Sequence, residues 1–227
     1  MFSAVHIVGT GRAGGAIRAR LRERGLAVTD GRVPDPAAEL VVLCVPDAAI
    51  SEVAAALPPG PWVSHVSGAT GLVALDPHPR RFSVHPLQTL TTARGAEQLD
   101  GAWAAITGET EEALGHARWL AEVLGLRPFR VADADRPIYH AAAVFGGNYL
   151  VTLHRVATAL LAQIGAPPEA IVPLMTRTIE NGFDLTGPIA RGDWATVEAH
   201  LVALADRAPD LVPLYRALAE ATEATRR

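Results

Sequence analysis

The residues best suited to chemistry fall in a few short blocks of this sequence. Gly9-Thr10-Gly11-Arg12-Ala13-Gly14 has the G-x-G-x-x-G spacing. In that pattern the first glycine permits a tight turn, the second lets backbone approach a pyrophosphate, and the third lets a helix pack on a strand. Val45-Pro46-Asp47, His65-Val66-Ser67-Gly68-Ala69 and Ser83-Val84-His85-Pro86-Leu87-Gln88-Thr89 each follow or close an apolar run. Later come Tyr139-His140 through Gly147-Asn148, and Leu185-Thr186-Gly187 through Arg191-Gly192-Asp193. Imidazoles titrate near neutral pH and can move a proton. Asparagine, glutamine, threonine and arginine can orient a polar substrate or pair with its carboxylate.

The elements that must position these groups change texture along the chain. Short apolar runs at Ala4–Val8, Leu26–Thr29, Leu40–Val45, Trp62–Val66, Arg81–Val84 and Ala102–Thr107 read as strands. Helical spacing at Gly14–Arg24, Ala48–Leu57 and Glu111–Leu124 alternates with them. That alternation predicts an α/β fold, a Rossmann-type parallel sheet domain over residues 1–132. From Arg136-Pro137 onward Ile138–Ile164, Pro168–Phe183, Trp194–Asp206 and Leu211–Thr225 are helical, which predicts an all-helical C-terminal domain over 133–227. The glycine block sits directly after the first strand and before the first helix, whose free N–H groups would face the phosphates. Residues 31–39 leave little room for a crossover helix between the second and third strands.

Bulk properties narrow the classes. At 227 residues with 49% hydrophobic content the chain can bury a core. A net charge of -4 and a pI near 6.1 argue against nucleic acid as a partner. No run approaches a membrane span, and the N-terminus lacks an export-signal pattern. The single cysteine, Cys44, cannot make an internal disulfide and fits a reducing cytoplasm. The histidines lack regular metal-ligand spacing, so no metal is expected.

Taken in order, the four blocks from His65 to Asp193, with Val45-Pro46-Asp47 ahead of them, resemble a bacterial family of Rossmann-like proteins whose C-terminal domain has no assigned function. That family is similar to a branch of the 6-phosphogluconate-dehydrogenase-like superfamily, with pyrroline-5-carboxylate reductases, ketopantoate reductases and prephenate dehydrogenases among its relatives. The resemblance covers essentially the whole chain. It implies NAD(P)-linked redox chemistry on a small-molecule substrate, and a homodimer. It does not imply which substrate. The shortened segment after the second strand departs from the family pattern.

On this basis Gly9, Thr10, Gly11, Arg12, Ala13 and Gly14 are expected to hold the dinucleotide, with Val45, Pro46 and Asp47 beside the nicotinamide ribose. Asp30 could accept ribose hydroxyls and favour NAD, or form a turn; Arg32 could face a 2′-phosphate and favour NADP. NADP is the expected cofactor, with NAD the alternative. His85 closes a strand at the carboxyl edge of the sheet and resembles the histidine of a histidine-proline step in prephenate dehydrogenases. It is the leading proton donor or acceptor, against a purely structural loop histidine. Ser67 could bond the nicotinamide or substrate, or cap its own turn. His140 and Asn148 fall within about a quarter turn of each other on a helix. In hydroxyacid-dehydrogenase relatives a Lys-to-Asn helix fills this place, and here His140 looks like the replacement of the lysine. A buried Asn148 would need a partner, either a ligand or a neighbouring helix end. Gln88 belongs to the same expected substrate site. Thr186 and Arg191 resemble the loop that grips a carboxylate in pyrroline-5-carboxylate reductases, while Asp193 reads as a helix N-cap. These readings favour an oxidoreductase acting on a carboxylate-bearing oxo acid or cyclic imine. The alternatives are prephenate-type oxidation and a non-catalytic dinucleotide-binding regulator.

Overall fold

Val5, Ile7 and Val8 give the first strand a buried, β-branched character, and it forms β1 (Ala4–Val8). The computed structural model describes residues 1–225. After β1 come α1 (Arg12–Glu23), β2 (Ala27–Asp30), β3 (Leu40–Leu43), α2 (Ile50–Ala55), β4 (Trp62–His65), β5 (Arg81–Leu87), β6 (Trp103–Thr107), α3 (Glu111–Val123) and β7 (Arg127–Arg130). They build one seven-stranded sheet in the order β2-β1-β3-β4-β5-β6-β7. All four residues of β3 are fully buried, as a central strand covered on both faces requires. Gly14, Ile17 and Leu21 turn one face of α1 into this core.

The sheet is parallel from β2 through β5, and there the expectation of a parallel sheet ends. β5 and β6 pair antiparallel, from Ser83 opposite Thr107 to Leu87 opposite Trp103. β6 and β7 are parallel to each other. The cause is the connection at 88–102, which holds only a short 3-10 turn at Ala96–Leu99 and no helix to carry the chain back across a face. β7 was not legible in the sequence: Pro128 and two arginines disguise a strand that sits at the sheet edge, where proline is tolerated.

The crossover from β2 to β3 passes β1 without a helix. His6, almost fully buried on β1, replaces that helix as an anchor. Its Nε2 lies 3.1 Å from the Gly31 carbonyl, so it donates there. Nδ1 then accepts, from the Thr29 hydroxyl at 2.8 Å and the Asp35 N–H at 3.4 Å. At the far end Glu39 accepts from the backbone N–H groups of Ser3 and Ala4.

Helices follow: α4 (Arg136–Val144), one turn of π-helix at Phe145–Tyr149, α5 (Leu150–Gln163), α6 (Ile171–Glu180), α7 (Pro188–Arg191), α8 (Trp194–Arg207) and α9 (Val212–Ala224). Two compact units result, Met1–Thr152 and Leu153–Arg227. The first therefore extends past the change of texture at Arg136-Pro137 and includes α4 and the π turn. In the second, Asp193 caps α8 as expected, accepting from the Thr196 N–H at 3.1 Å. Among the described residues no helix is long and apolar enough to cross a membrane.

Replacing His6 by leucine would strand the Gly31 carbonyl and the Asp35 N–H. We expect a loss of about 1–3 kcal/mol in urea unfolding, the cost of buried polar groups left without partners. An unchanged midpoint would show that the crossover does not depend on His6.

Candidate active site

Because β1, β3, β4 and β5 run parallel, their carboxyl ends lie along one edge of the sheet, and the blocks at Gly9, Val45, His65 and His85 emerge there. Gly9 ends β1 with φ +96°, a conformation that side chains rarely adopt, and a Cβ on it would lie 2.5 Å from the Cys44 carbonyl oxygen. A Cβ on Gly14 would fall inside the Gly9 carbonyl oxygen. Gly11 is different: a Cβ there meets nothing within 4 Å. The first and third glycines are thus demanded by packing, while the second faces open space. α1 begins with no side-chain cap and no acidic residue in its first turn, whereas α3 is capped by Thr110 and opens with Glu111 and Glu112. Uncapped N–H groups beside open space are what a phosphate needs. The loop fits a dinucleotide.

At the end of β2, Asp30 accepts from Arg18 at 2.9 Å and Arg22 at 3.4 Å, both on α1. The Arg18 hydrogen bond holds its carboxyl below the usual aspartate range. Arg32 is exposed.

The rim continues without a break from the glycine loop. Val45 packs beside Gly9, and two residues on Asp47 accepts from the Ser67 hydroxyl at 2.7 Å. The Ser67 oxygen also receives the N–H groups of Ala69 and Thr70. Its hydroxyl is therefore fully engaged in its own turn and in holding Asp47. Ser67 is buried and does not line the cavity described next. His65 is fully buried too: Nδ1 accepts from the Ser67 N–H, and Nε2 has no partner. Burial, reinforced by Arg136, pushes its pKa down to about 3.

A cavity of about 530 Å³ opens at the end of β5, lined by His85, Gln88, Phe129, Tyr139, His140 and Asn148 among others. Three sites read from the sequence, His85, His140 and Asn148, thus share one cavity, and Gln88 joins them. Asn148 is exposed rather than buried; it sits in the π turn, and Gly146, Gly147 and Asn148 line the cavity wall. The sequence reading named Tyr139 but gave it no role; its hydroxyl lies 2.6 Å from His85 Nδ1. Gly68 was also missed as a requirement: its Cβ would lie 2.7 Å from His140 and 2.8 Å from His85, so only glycine lets both rings close in. Phe129 escaped notice with its strand; its ring packs edge-on against Tyr139.

Desolvation dominates the electrostatics. It lowers His85 to about 4, helped by His140 and Arg136 and opposed by Asp47. It raises Tyr139 to about 12, opposed by Arg136. Near neutral pH both members of the pair are uncharged, so one proton is shared in a neutral hydrogen bond. Thr186 and Arg191 belong to the second unit. Thr186 precedes Gly187 at φ +92°, Arg191 ends α7, and both are exposed.

The family model described as a domain of unknown function (DUF2520) matches residues 102–222, more than half of the chain. The chain belongs to this family. Among curated protein sequences nothing matches significantly. Solved structures do. A candidate NADP oxidoreductase from Bacteroides fragilis is 20% identical with a TM-score of 0.83, and the match covers 98% of each chain. A protein from Thermotoga maritima is 23% identical with a TM-score of 0.77, over 98% of this chain and 100% of the other. A reductive aminase from Aspergillus terreus, solved with NADPH and ethyl levulinate, is 17% identical with a TM-score of 0.69, over 100% and 95%. At these identities the likeness shows the fold. The DUF2520 chain is Rossmann-like, with C-terminal helices.

His65 and His85 are held neutral in the folded protein, so between their folded pKa values and about 6.5 the unfolded chain binds more protons. Stability must therefore rise with pH across that window. We expect a lower urea midpoint at pH 5 than at pH 7, with a smaller drop in a His65→Gln, His85→Gln double variant. Equal pH dependence in the double variant and the parent would show that these two histidines do not set it.

Proposed function

We propose that this protein is an NAD(P)H-dependent reductase of a small carboxylate-bearing metabolite, an oxo acid or a cyclic imine. The observation that carries the reading is the neutral His85–Tyr139 pair, facing a cavity on the same sheet edge as a glycine cradle left open at Gly11. The NADPH held by the structurally similar reductase from Aspergillus supports it. Gly9–Gly14 and the start of α1 would hold the pyrophosphate, Val45–Asp47 the nicotinamide ribose, and Asp30 or Arg32 the adenosine end. The bound nicotinamide would supply the hydride.

The chain's own groups manage the proton. With the His85 Nδ1–H donating to the Tyr139 oxygen, the phenolic O–H is free to hydrogen-bond a substrate oxygen or nitrogen in the cavity. As negative charge develops there, the phenol gives up its proton and His85 steadies the oxygen left behind. His140, Gln88 and Asn148 offer further polar contacts, while Phe129 and the small residues of α4 exclude water. The cavity lining contains no lysine or arginine. Thr186 and Arg191, from the same or a partner subunit, are the groups we assign to the substrate carboxylate. A homodimer would also cover Val172, Leu174, Ile179 and Phe183, which are exposed in the single chain.

The test is a screen of NADPH and NADH oxidation over small oxo acids and cyclic imines, with light scattering on the same sample. Turnover by a dimer, reduced about 10²–10⁴-fold in Tyr139→Phe, is the expected result. Cofactor binding without turnover on any substrate would favour a regulatory protein. A stable monomer at micromolar concentration would remove the partner-subunit role of Arg191.

A further inference from the structure

Among the described residues Arg136 is the largest fully buried side chain, and no catalytic role has been given to it. It is the first residue of α4. One terminal nitrogen, Nη1, donates to the Ser83 hydroxyl at 2.7 Å and the Thr107 hydroxyl at 2.9 Å. The other, Nη2, donates to the Ser67 carbonyl. Its Nε is buried without a partner. Among the described residues no carboxylate forms an ion pair with it. The nearby acids are occupied elsewhere: Asp133 accepts from the Leu72 N–H, and Asp47 accepts from Ser67.

A buried cation without a counter-ion costs several kcal/mol, and simple cross-linking does not need the charge. The placement suggests what the charge does. Tyr139 and His140 follow Arg136 by three and four residues, so all three share one side of α4. Ser83 precedes His85 by two residues on β5, so the guanidinium and the imidazole lie on one face of that strand. Ser67 immediately precedes Gly68, the residue that lets the two histidine rings approach. The guanidinium therefore stands directly behind the His85–Tyr139 pair.

We propose that Arg136 is the positioning residue of this site: its unpaired guanidinium clamps the start of α4 to β5, β6 and the turn after β4, sets its charge against a proton on His85, and stabilises the oxygen of Tyr139 when the phenol gives up its proton. This rests on the reductase reading for its purpose, though not for its electrostatics. In the step concerned, the Tyr139 O–H bond breaks and its electron pair stays on the phenol oxygen. The proton forms a new O–H or N–H bond on the substrate, and solvent water restores the phenol afterwards. The other charged or titratable groups acting on the pair are His140 on α4, Asp47 after β3 and His65 on β4, while Asp133 ahead of α4 acts on Arg136 itself.

The experiment follows the His85 ring signals by NMR against pH in the full chain without substrate. It compares the parent with Arg136→Lys, Arg136→Met and Ser83→Asp, with NADPH affinity measured by calorimetry on each. Ser83→Asp sets a carboxylate against the guanidinium and neutralises it in place, which keeps the test alive if Arg136→Met does not fold. We expect the His85 midpoint to rise by about one pH unit, a tenfold gain in proton affinity, in Met and in Asp. Lys should restore most of the parent value, and the calorimetric affinity for NADPH should stay at the parent value in every folded variant. His85 midpoints equal to the parent in folded Met or Asp variants would overturn the proposal. Failure of the parent to bind NADPH or NADH would overturn the reductase reading and leave the His85 result to stand or fall by itself.

Discussion

Among the glycines the tightest constraint is the approach of Gly14 to the carbonyl of Gly9, where no side-chain atom can be admitted. That contact sets α1 against β1 and points the uncapped start of the helix at the carboxyl edge of the sheet. Gly9 in turn presses on the Cys44 carbonyl at the end of β3. Each strand end is therefore fixed by its neighbour, and the line of contacts runs from the glycine loop through Val45, Asp47, Ser67 and Gly68 to His85. A site assembled this way needs few long side chains. Backbone proximity positions it.

The polar groups on that line divide into two kinds. Ser67, Asp47 and Thr70 satisfy one another and act as framework. His85, Tyr139, His140 and Asn148 keep atoms turned toward a cavity. Burial holds the imidazole and the phenol of the facing pair neutral, and their pKa values are driven apart, to about 4 and about 12. Neutral, hydrogen-bonded and adjacent to empty space, such a pair can pass a proton without first separating charge.

The glycine loop and most parallel strands were legible because their periodicity and their glycines serve a local backbone need. The shared cavity of His85, His140 and Asn148 was legible too, since strand ends and the first following helix must meet. What stayed hidden depends on contacts distant in sequence. β7 exists because an edge position excuses Pro128. Ser67 looked free to bind a ligand, yet its hydrogen bonds are consumed by Asp47 and its own turn. Arg136 at a helix start reads as a solvated charge, and only the three hydroxyl and carbonyl acceptors brought by β5, β6 and the turn after β4 explain its burial. Tyr139 was quoted beside His140 but given no role, because its partner lies 54 residues away in sequence.

The central claim is that the open space at Gly11 is the path of a dinucleotide. Calorimetric titration of NADPH and NADH into the parent and into Gly11→Val tests it most directly. A valine there meets no protein atom near its Cβ, so the variant should fold and unfold in urea as the parent does. The account predicts that the parent binds at least one of the two dinucleotides and that the folded variant loses that binding. Equal affinity in a folded Gly11→Val protein would contradict it.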